Sequence, residues 1–268
     1  MKQFNLSRFS RIMAWNIRNS RRALLTSMAS MFFVMMLFFS ICILQTRGNS
    51  ALYVVQRLDA TVGLCAFAMM IWITVCGLWI FHNMKTKQQR IMFKMLPASN
   101  LEKFLTRYIF VFVLWTLGAI VAFCVADVMR ILICIVTGTE WVQSAIPLFF
   151  KNFDFTLAEV DGTSRPEFGL TVLLWGFWVH TIYLLGGVFF SRKQFVFTSA
   201  FLFALGFIVS WVLMSIHDNF DFSLSPEECV LPANILSAVF AVLIVFNYWL
   251  SFRLFKRMQV INNKWINL

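Results

Sequence analysis

Six stretches of this 268-residue chain run with almost no polar interruption, and short clusters of charge separate them. They cover residues 23–44, 60–81, 108–136, 168–190, 195–216 and 233–252. Crossing a hydrocarbon core about 30 Å thick takes roughly 20 apolar residues at about 1.5 Å per residue, so each is long enough to span a bilayer. Five of the six contain no Asp, Glu, Lys or Arg, while the third carries Asp127 and Arg130 near its far end. Ahead of the first, residues 1–22 place Phe9, Ile12, Met13 and Ile17 on one helical stripe. Arg8, Arg11, Arg18 and Arg22 fall on another face, with Trp15 between. That pattern predicts a separate amphipathic helix lying in the membrane interface, its cations near anionic headgroups. The apolar run that follows is too long for the core of a signal peptide and no clear small-x-small site ends it, so span one is expected to be retained.

Between the second and third spans, residues 83–107 read N-M-K-T-K-Q-Q-R-I-M-F-K-M-L-P-A-S-N-L-E-K-F-L-T-R. Lys85, Lys87, Arg90, Lys94, Lys103 and Arg107 stand against one acid, Glu102. Helical spacing before Pro97 puts Met84, Gln88, Ile91, Met92 and Met95 on one face and Lys87, Arg90 and Lys94 on another. Pro97 ends that helix, and Ser99-Asn100-Leu101-Glu102 is the pattern of a capping box that starts the next. The expected result is a stiff basic elbow. It reads either as an ordinary loop anchoring two spans or as a docking surface for another protein.

Composition agrees with a membrane protein: 60% of residues are hydrophobic, 17% aromatic and 13% charged, against about 45–50% apolar and about 25% charged in soluble domains. The whole chain, residues 1–268, reads as one all-α polytopic transmembrane domain. The basic residues orient it. With the N-terminus inside, 18 of the 23 Lys and Arg fall on the cytoplasmic side and only Arg47, Arg57, Arg130, Lys151 and Arg165 on the other. Eleven of the 12 acids then lie outside, counting Asp59 and Asp127 with the outer half. Both termini are therefore expected in the cytoplasm. The net charge of +11 is a topology signal first. Its cations sit in membrane-proximal loops with no soluble module to organise them, so nucleic acid is not an expected partner.

Small residues recur every four positions at Gly118, Ala122 and Ala126, and again at Ala233, Ser237 and Ala241. Such stripes let helices approach closely, within the bundle or across a subunit interface. Asp127 and Arg130, three residues apart, are expected to pair at the end of span three. The longest outer segment, residues 137–167, opens with Trp141, Ile146, Leu148, Phe149, Phe150, Phe153 and Phe155, and either lies at headgroup level or dips back into the membrane.

Catalytic chemistry is missing from the pattern. There is no G-x-x-x-x-G-K-[ST]. Cys42, Cys65, Cys76, Cys124, Cys134 and Cys229 form no C-x-x-C, and five of them fall in spans, which argues against a disulfide framework. His82, His180 and His217 are scattered without H-E-x-x-H, so no metal site is expected. Glu227-Glu228 is similar to the paired acids of some intramembrane proteases but has no His partners. No enzyme activity and no cofactor are expected. His180, in the middle of span four, is the one ionisable group deep in the apolar region. It is a candidate intramembrane polar site, or a side chain satisfied within the bundle by a hydroxyl such as that of Thr181 or Tyr183.

The run Met95-Leu96-Pro97-Ala98-Ser99, followed by Glu102-Lys103-Phe104-Leu105, resembles the first cytoplasmic loop of ABC-2-type transporter permeases of Gram-negative bacteria. The six-span layout, the interfacial N-terminal helix, the inside termini and the missing nucleotide site fit that resemblance. It implies a permease subunit of the inner membrane, dimeric with a second copy or a homologue, surrounded by lipid and powered by a separate ATP-binding subunit. The elbow would be the coupling region, with Ile91, Met92, Met95, Leu96, Pro97, Ala98, Ser99, Glu102 and Lys103 at the ATPase contact. The aromatic, Met-rich spans fit export of an amphipathic or lipid-like substrate. One departure stands out: many members carry a re-entrant hairpin between spans five and six, where this chain has a short connection. The alternative is an ATP-independent carrier, channel or assembly factor, in which a mid-membrane group such as His180 would carry the function.

Overall fold

The computed structural model describes residues 4–84, 87–138, 143–151, 159–160, 163–164, 166–190, 193–219 and 230–258. Six of its helices are long and apolar enough to cross a membrane. The chain is a multi-pass, essentially all-helical membrane protein. The elements are α1 (Leu6–Thr46), α2 (Ala51–Val75), a 3₁₀ segment (Cys76–Met84), α3 (Lys87–Lys94), α4 (Asn100–Ile109), a π-helical turn (Phe110–Leu114) and α5 (Trp115–Val136). They are followed by α6 (Ile146–Lys151), β1 (Glu159–Val160), β2 (Thr163–Ser164), α7 (Pro166–Phe189), α8 (Gln194–Asn219) and α9 (Val230–Arg257). The two strands form a single antiparallel pairing, Glu159 opposite Ser164 and Val160 opposite Thr163. Trp141, Phe153, Phe155 and the pair Glu227-Glu228 lie outside the described residues.

The expected division between an interfacial helix and span one is absent. Residues 6–46 form one uninterrupted helix of 41 residues. The reason is local: this stretch contains neither Gly nor Pro, and Asn5 caps its start by accepting from the amides of Ser7 and Arg8 at 2.9 and 3.4 Å. At about 1.5 Å per residue the helix is on the order of 60 Å long, about twice a hydrocarbon core. Its N-terminal half buries Ile12, Asn16 and Ser20 on one face.

Packing divides what the sequence presents as one domain into two compact units. One contains residues 5–73 and 105–154; the other contains residues 1–4, 74–104 and 155–268. In the first, α1, α2 and α5 share a core. Met31, Met35 and Phe39 of α1 meet Leu58, Val62, Cys65, Ala66 and Met69 of α2 and Ala119, Ala122, Phe123 and Ala126 of α5. Without a hydrophobic drive between helices in lipid, close van der Waals contact has to hold them, and small residues make it possible. Gly118 shows this directly: a Cβ there would sit 2.9 Å from Cγ of Met28. The Gly118–Ala122–Ala126 stripe thus packs inside the chain, against α1.

In the second unit, α7 packs along α9 and along the 3₁₀ segment. Thr171 Oγ1 lies 2.8 Å from Ser237 Oγ and donates to the Ala233 carbonyl at 3.2 Å. Asn247 Nδ2 donates to Thr181 Oγ1 at 3.0 Å. Ala233 and Ser237 are therefore occupied within the chain, whereas Ala241 is exposed. The 3₁₀ segment lies close enough to α7 that Cβ atoms on Gly77 and Gly187 would fall 2.8 Å from the Leu184 amide and 3.1 Å from Leu78 Cα.

Candidate functional site

The elbow predicted around Pro97 is present. α3 ends at Lys94, and its last carbonyls are taken up in a tight turn: Met95 N donates to Ile91 O at 2.9 Å and Ala98 N to Leu96 O at 2.8 Å. α4 then opens on a closed capping box. The Ser99 amide donates to Glu102 Oε2 at 2.8 Å and the Glu102 amide to Ser99 Oγ at 3.2 Å. Each side chain satisfies an amide that helix geometry would otherwise leave open.

The face of the elbow that carries Ile91, Met92 and Met95 points outward. Arg90 and Phe93 turn inward, at 9% and 2% exposure, with Lys94 half-buried, while Lys87 stays exposed. Phe93 and its neighbours explain this. Phe255, fully buried at the end of α9, is surrounded by the rings of Phe81, Phe93 and Phe104 at centroid distances of 5.5, 6.4 and 5.7 Å. A ring buried among rings outweighs an ion that can keep partners at its tip, since long cationic side chains bury their stems and not their charge. Ile91, Met92 and Met95 are left facing outward at 36%, 48% and 78% exposure, joined by Leu101 at 43%. Pro97 is exposed too, and Leu96, Ala98 and Ser99 are half-buried.

Two residues assigned to the partner contact belong to the inside of the elbow. Glu102 is fully buried and Lys103 is 3% exposed. Glu102 closes the capping box, and Lys103 Nζ donates to the Lys94 carbonyl at 2.7 Å, tying α4 back to the end of α3. Lys94 Nζ sits 5.3 Å from the Phe255 ring centroid and 3.4 Å from the Phe255 carbonyl. Burial holds its ammonium below the usual lysine range, because leaving water disfavours the charged form. Glu102 and Lys103 act as struts. The outward surface is Ile91, Met92, Met95, Pro97 and Leu101.

Beyond Lys103, α4 carries Arg107, which sequence reading leaves among the loop cations. It is 2% exposed, with its guanidinium 5.5 Å from the Phe110 ring centroid and Nη1 3.5 Å from Asn16 Oδ1. Asn16 lies on the same buried face of α1 as Ile12 and Ser20, and a buried amide needs polar company. The π-helical turn begins three residues after Arg107, and such turns often accompany functional positions.

His180 is buried at 1% exposure, and its Nδ1 lies 3.2 Å from the Thr74 carbonyl. The expected hydroxyl partners are occupied elsewhere: Thr181 Oγ1 donates to Trp178 O at 2.7 Å, and Tyr183 OH pairs with Ser199 Oγ at 3.1 Å. Thr74 is the second-last residue of α2, so His180 ties α7 to the end of that helix.

Asp127 and Arg130 do pair, as their spacing predicts, but in a larger network. Asp127 Oδ1 accepts from Arg130 Nε and Nη2 at 2.9 and 2.8 Å. Its Oδ2 accepts from Ser144 Oγ at 2.8 Å and from the Ala145 amide at 3.0 Å, while Arg130 Nη2 also donates to the Gln143 carbonyl. Both side chains are buried. The network anchors the entry to α6, whose Phe149 stacks on Phe123 at 4.1 Å and joins the core. Phe123 lies one turn before Asp127, so α6 packs back along α5.

Among the described residues no group of three or more His, Cys, Asp or Glu is placed to hold a metal ion. No protein-family model matches the chain, and no characterised protein or solved structure matches it.

Proposed function

We infer that this chain is the permease subunit of an ABC transporter of the ABC-2 type, driven by ATP that a separate subunit hydrolyses. In this reading it sits in a bacterial inner membrane with both termini in the cytoplasm, works as a dimer of permeases and exports an amphipathic or lipid-like substrate. The observation that supports it best is the build of the elbow. A short helix, a proline turn and a capped helix are braced from inside by Glu102, Lys103 and the Phe255 cluster. Its outward face is an apolar patch of Ile91, Met92, Met95 and Leu101. A coupling element has to be stiff where it transmits motion and apolar where it seats in a partner, because a slack connection absorbs displacement. Methionines suit such a seat, being unbranched and adaptable. The positive-inside bias of the loops supports placing this patch on the cytoplasmic side, where ATP is. His180, engaged with the Thr74 carbonyl, fits a structural role better than the mid-membrane ion site that a gradient-driven carrier would need.

The test is purification of the tagged full-length chain from native membranes. A P-loop ATPase is expected to accompany it, and to be lost when Met95→Asp and Ile91→Asp are combined. Ser99→Gly with Glu102→Gly is expected to keep the partner bound but lower transport per ATP hydrolysed. If no nucleotide hydrolase ever accompanies the wild-type chain, the reading is wrong.

A further inference from the structure

Where α1 gives way to α2, the first unit holds an open cavity of about 390 Å³, built from the C-terminal ends of α1 and α5 and the first turns of α2. Two features of its lining are unusual together. Among the described lining residues there is no acid, yet Arg47 and Arg130 both border it. The whole sequence places only five basic residues on this side of the spans, so two of the five meet at one hole. Arg130 is held in place by Asp127 and the Gln143 carbonyl. Arg47 is exposed and stands at the turn between α1 and α2.

That turn is ordered. Gly48 adopts φ +77, the left-handed region that glycine tolerates best. Asn49 closes the turn from both ends, its amide donating to Thr46 O at 3.2 Å and its Nδ2 to Gln45 O at 2.9 Å. Thr46 Oγ1 in turn donates to Cys42 O at 2.8 Å. At the end of α5, Thr137 N donates to Ile133 O at 2.9 Å and Gly138 N to Ile135 O at 3.2 Å. The carbonyls of Gln45, Thr46, Ile133 and Ile135, which would otherwise repel an anion, are thus engaged. The opposite wall is apolar: Ile43, Val55 and Leu58 line it. Val55 is 41% exposed, on a surface continued by Leu44 and Leu52.

We propose that this cavity binds a phosphate-bearing anionic amphiphile, with the headgroup against Arg47 and the start of the acyl chain along Ile43, Val55 and Leu58. A guanidinium offers paired donors that match phosphate oxygens. The site lies at the end of the spans, at headgroup depth whichever side of the membrane it faces. It does not depend on an ATP-driven partner.

Native mass spectrometry of the full-length chain in neutral detergent tests this, comparing phosphatidylglycerol with phosphatidylcholine of the same acyl chains, and inorganic phosphate as competitor. Wild type is expected to retain phosphatidylglycerol in preference. Arg47→Gln should weaken that retention roughly tenfold, the loss of about one charge-assisted hydrogen bond. Val55→Trp, which fills the apolar wall and leaves both arginines, should weaken it as well. Equal retention of the two lipids by wild type, or unchanged phosphatidylglycerol retention in both variants, overturns the proposal. Displacement by millimolar inorganic phosphate would assign the site to a free anion and overturn it equally.

Discussion

His180 Nδ1 lies 3.2 Å from the main-chain carbonyl of Thr74, at the place where α2 stops being an α-helix and continues as a 3₁₀ segment. At such a junction the hydrogen bonding changes from i+4 to i+3. His180 is 1% exposed, and a polar side chain so buried needs a partner. The imidazole is the donor, which makes His180 a brace for an irregular helix.

Replacing His180 should therefore act on stability. His180→Leu is expected to destabilise the chain by about 0.5–1.5 kcal/mol, the net contribution of an ordinary hydrogen bond. His180→Gln, which keeps a donor, should lose less. Thermal unfolding in detergent measures both. Equal stability of wild type and His180→Leu would return His180 to the list of functional groups.

The same seam predicts a contrast between glycines. Gly77→Ala would place a Cβ 2.8 Å from the Leu184 amide, in backbone that cannot step aside, whereas Gly63→Ala meets nothing within 4 Å. The first should lower the melting temperature and the yield of folded protein; the second should leave both unchanged. Overpacking at such a contact costs about 1–3 kcal/mol.

Asp127 and Arg130 should show strong coupling. Asp127→Leu alone strands a buried guanidinium and removes the acceptor of Ser144 Oγ and the Ala145 amide. Breaking one side of such a pair costs about 3–5 kcal/mol, while replacing both with apolar residues of similar volume costs much less. A double-mutant cycle with Arg130→Met, read by denaturant unfolding, should give a double variant more stable than the sum of the singles implies.

In the elbow, Ser99→Ala is expected to lose about 0.5–2 kcal/mol of local stability, the usual effect of removing an N-cap hydroxyl. Hydrogen exchange should speed up in the first turn of α4, Asn100 to Lys103, and leave α3 unchanged. Once Ser99→Ala is made, Glu102→Gln should add little, because the two side chains close one box.

Much of this molecule was legible in its residue pattern because the bilayer imposes a simple rule. Backbone polar groups in hydrocarbon must be paired within a helix, so every long uncharged run had to become one. Local bonding motifs were legible for a similar reason. The Ser99–Glu102 box and the Asp127–Arg130 pair join residues three apart, a distance that helix geometry fixes before any tertiary contact forms.

What the pattern could not decide was set by packing between distant segments. The charge pattern predicts a separate interfacial helix over residues 1–22, but with neither Gly nor Pro to interrupt it the helix runs unbroken through residue 22. Amphipathicity tells polar from apolar and not which side has a partner: Phe255, more than 150 positions away, draws in Phe93 and leaves the methionines outside. Arg107 and His180 follow the same logic, their partners Asn16 and Thr74 being brought near only by the fold. The chain alone determined its helices and their short-range bonds, because those depend on neighbours a few residues apart. Tertiary structure decided which faces are buried and where charges find company, because that depends on which other helix arrives.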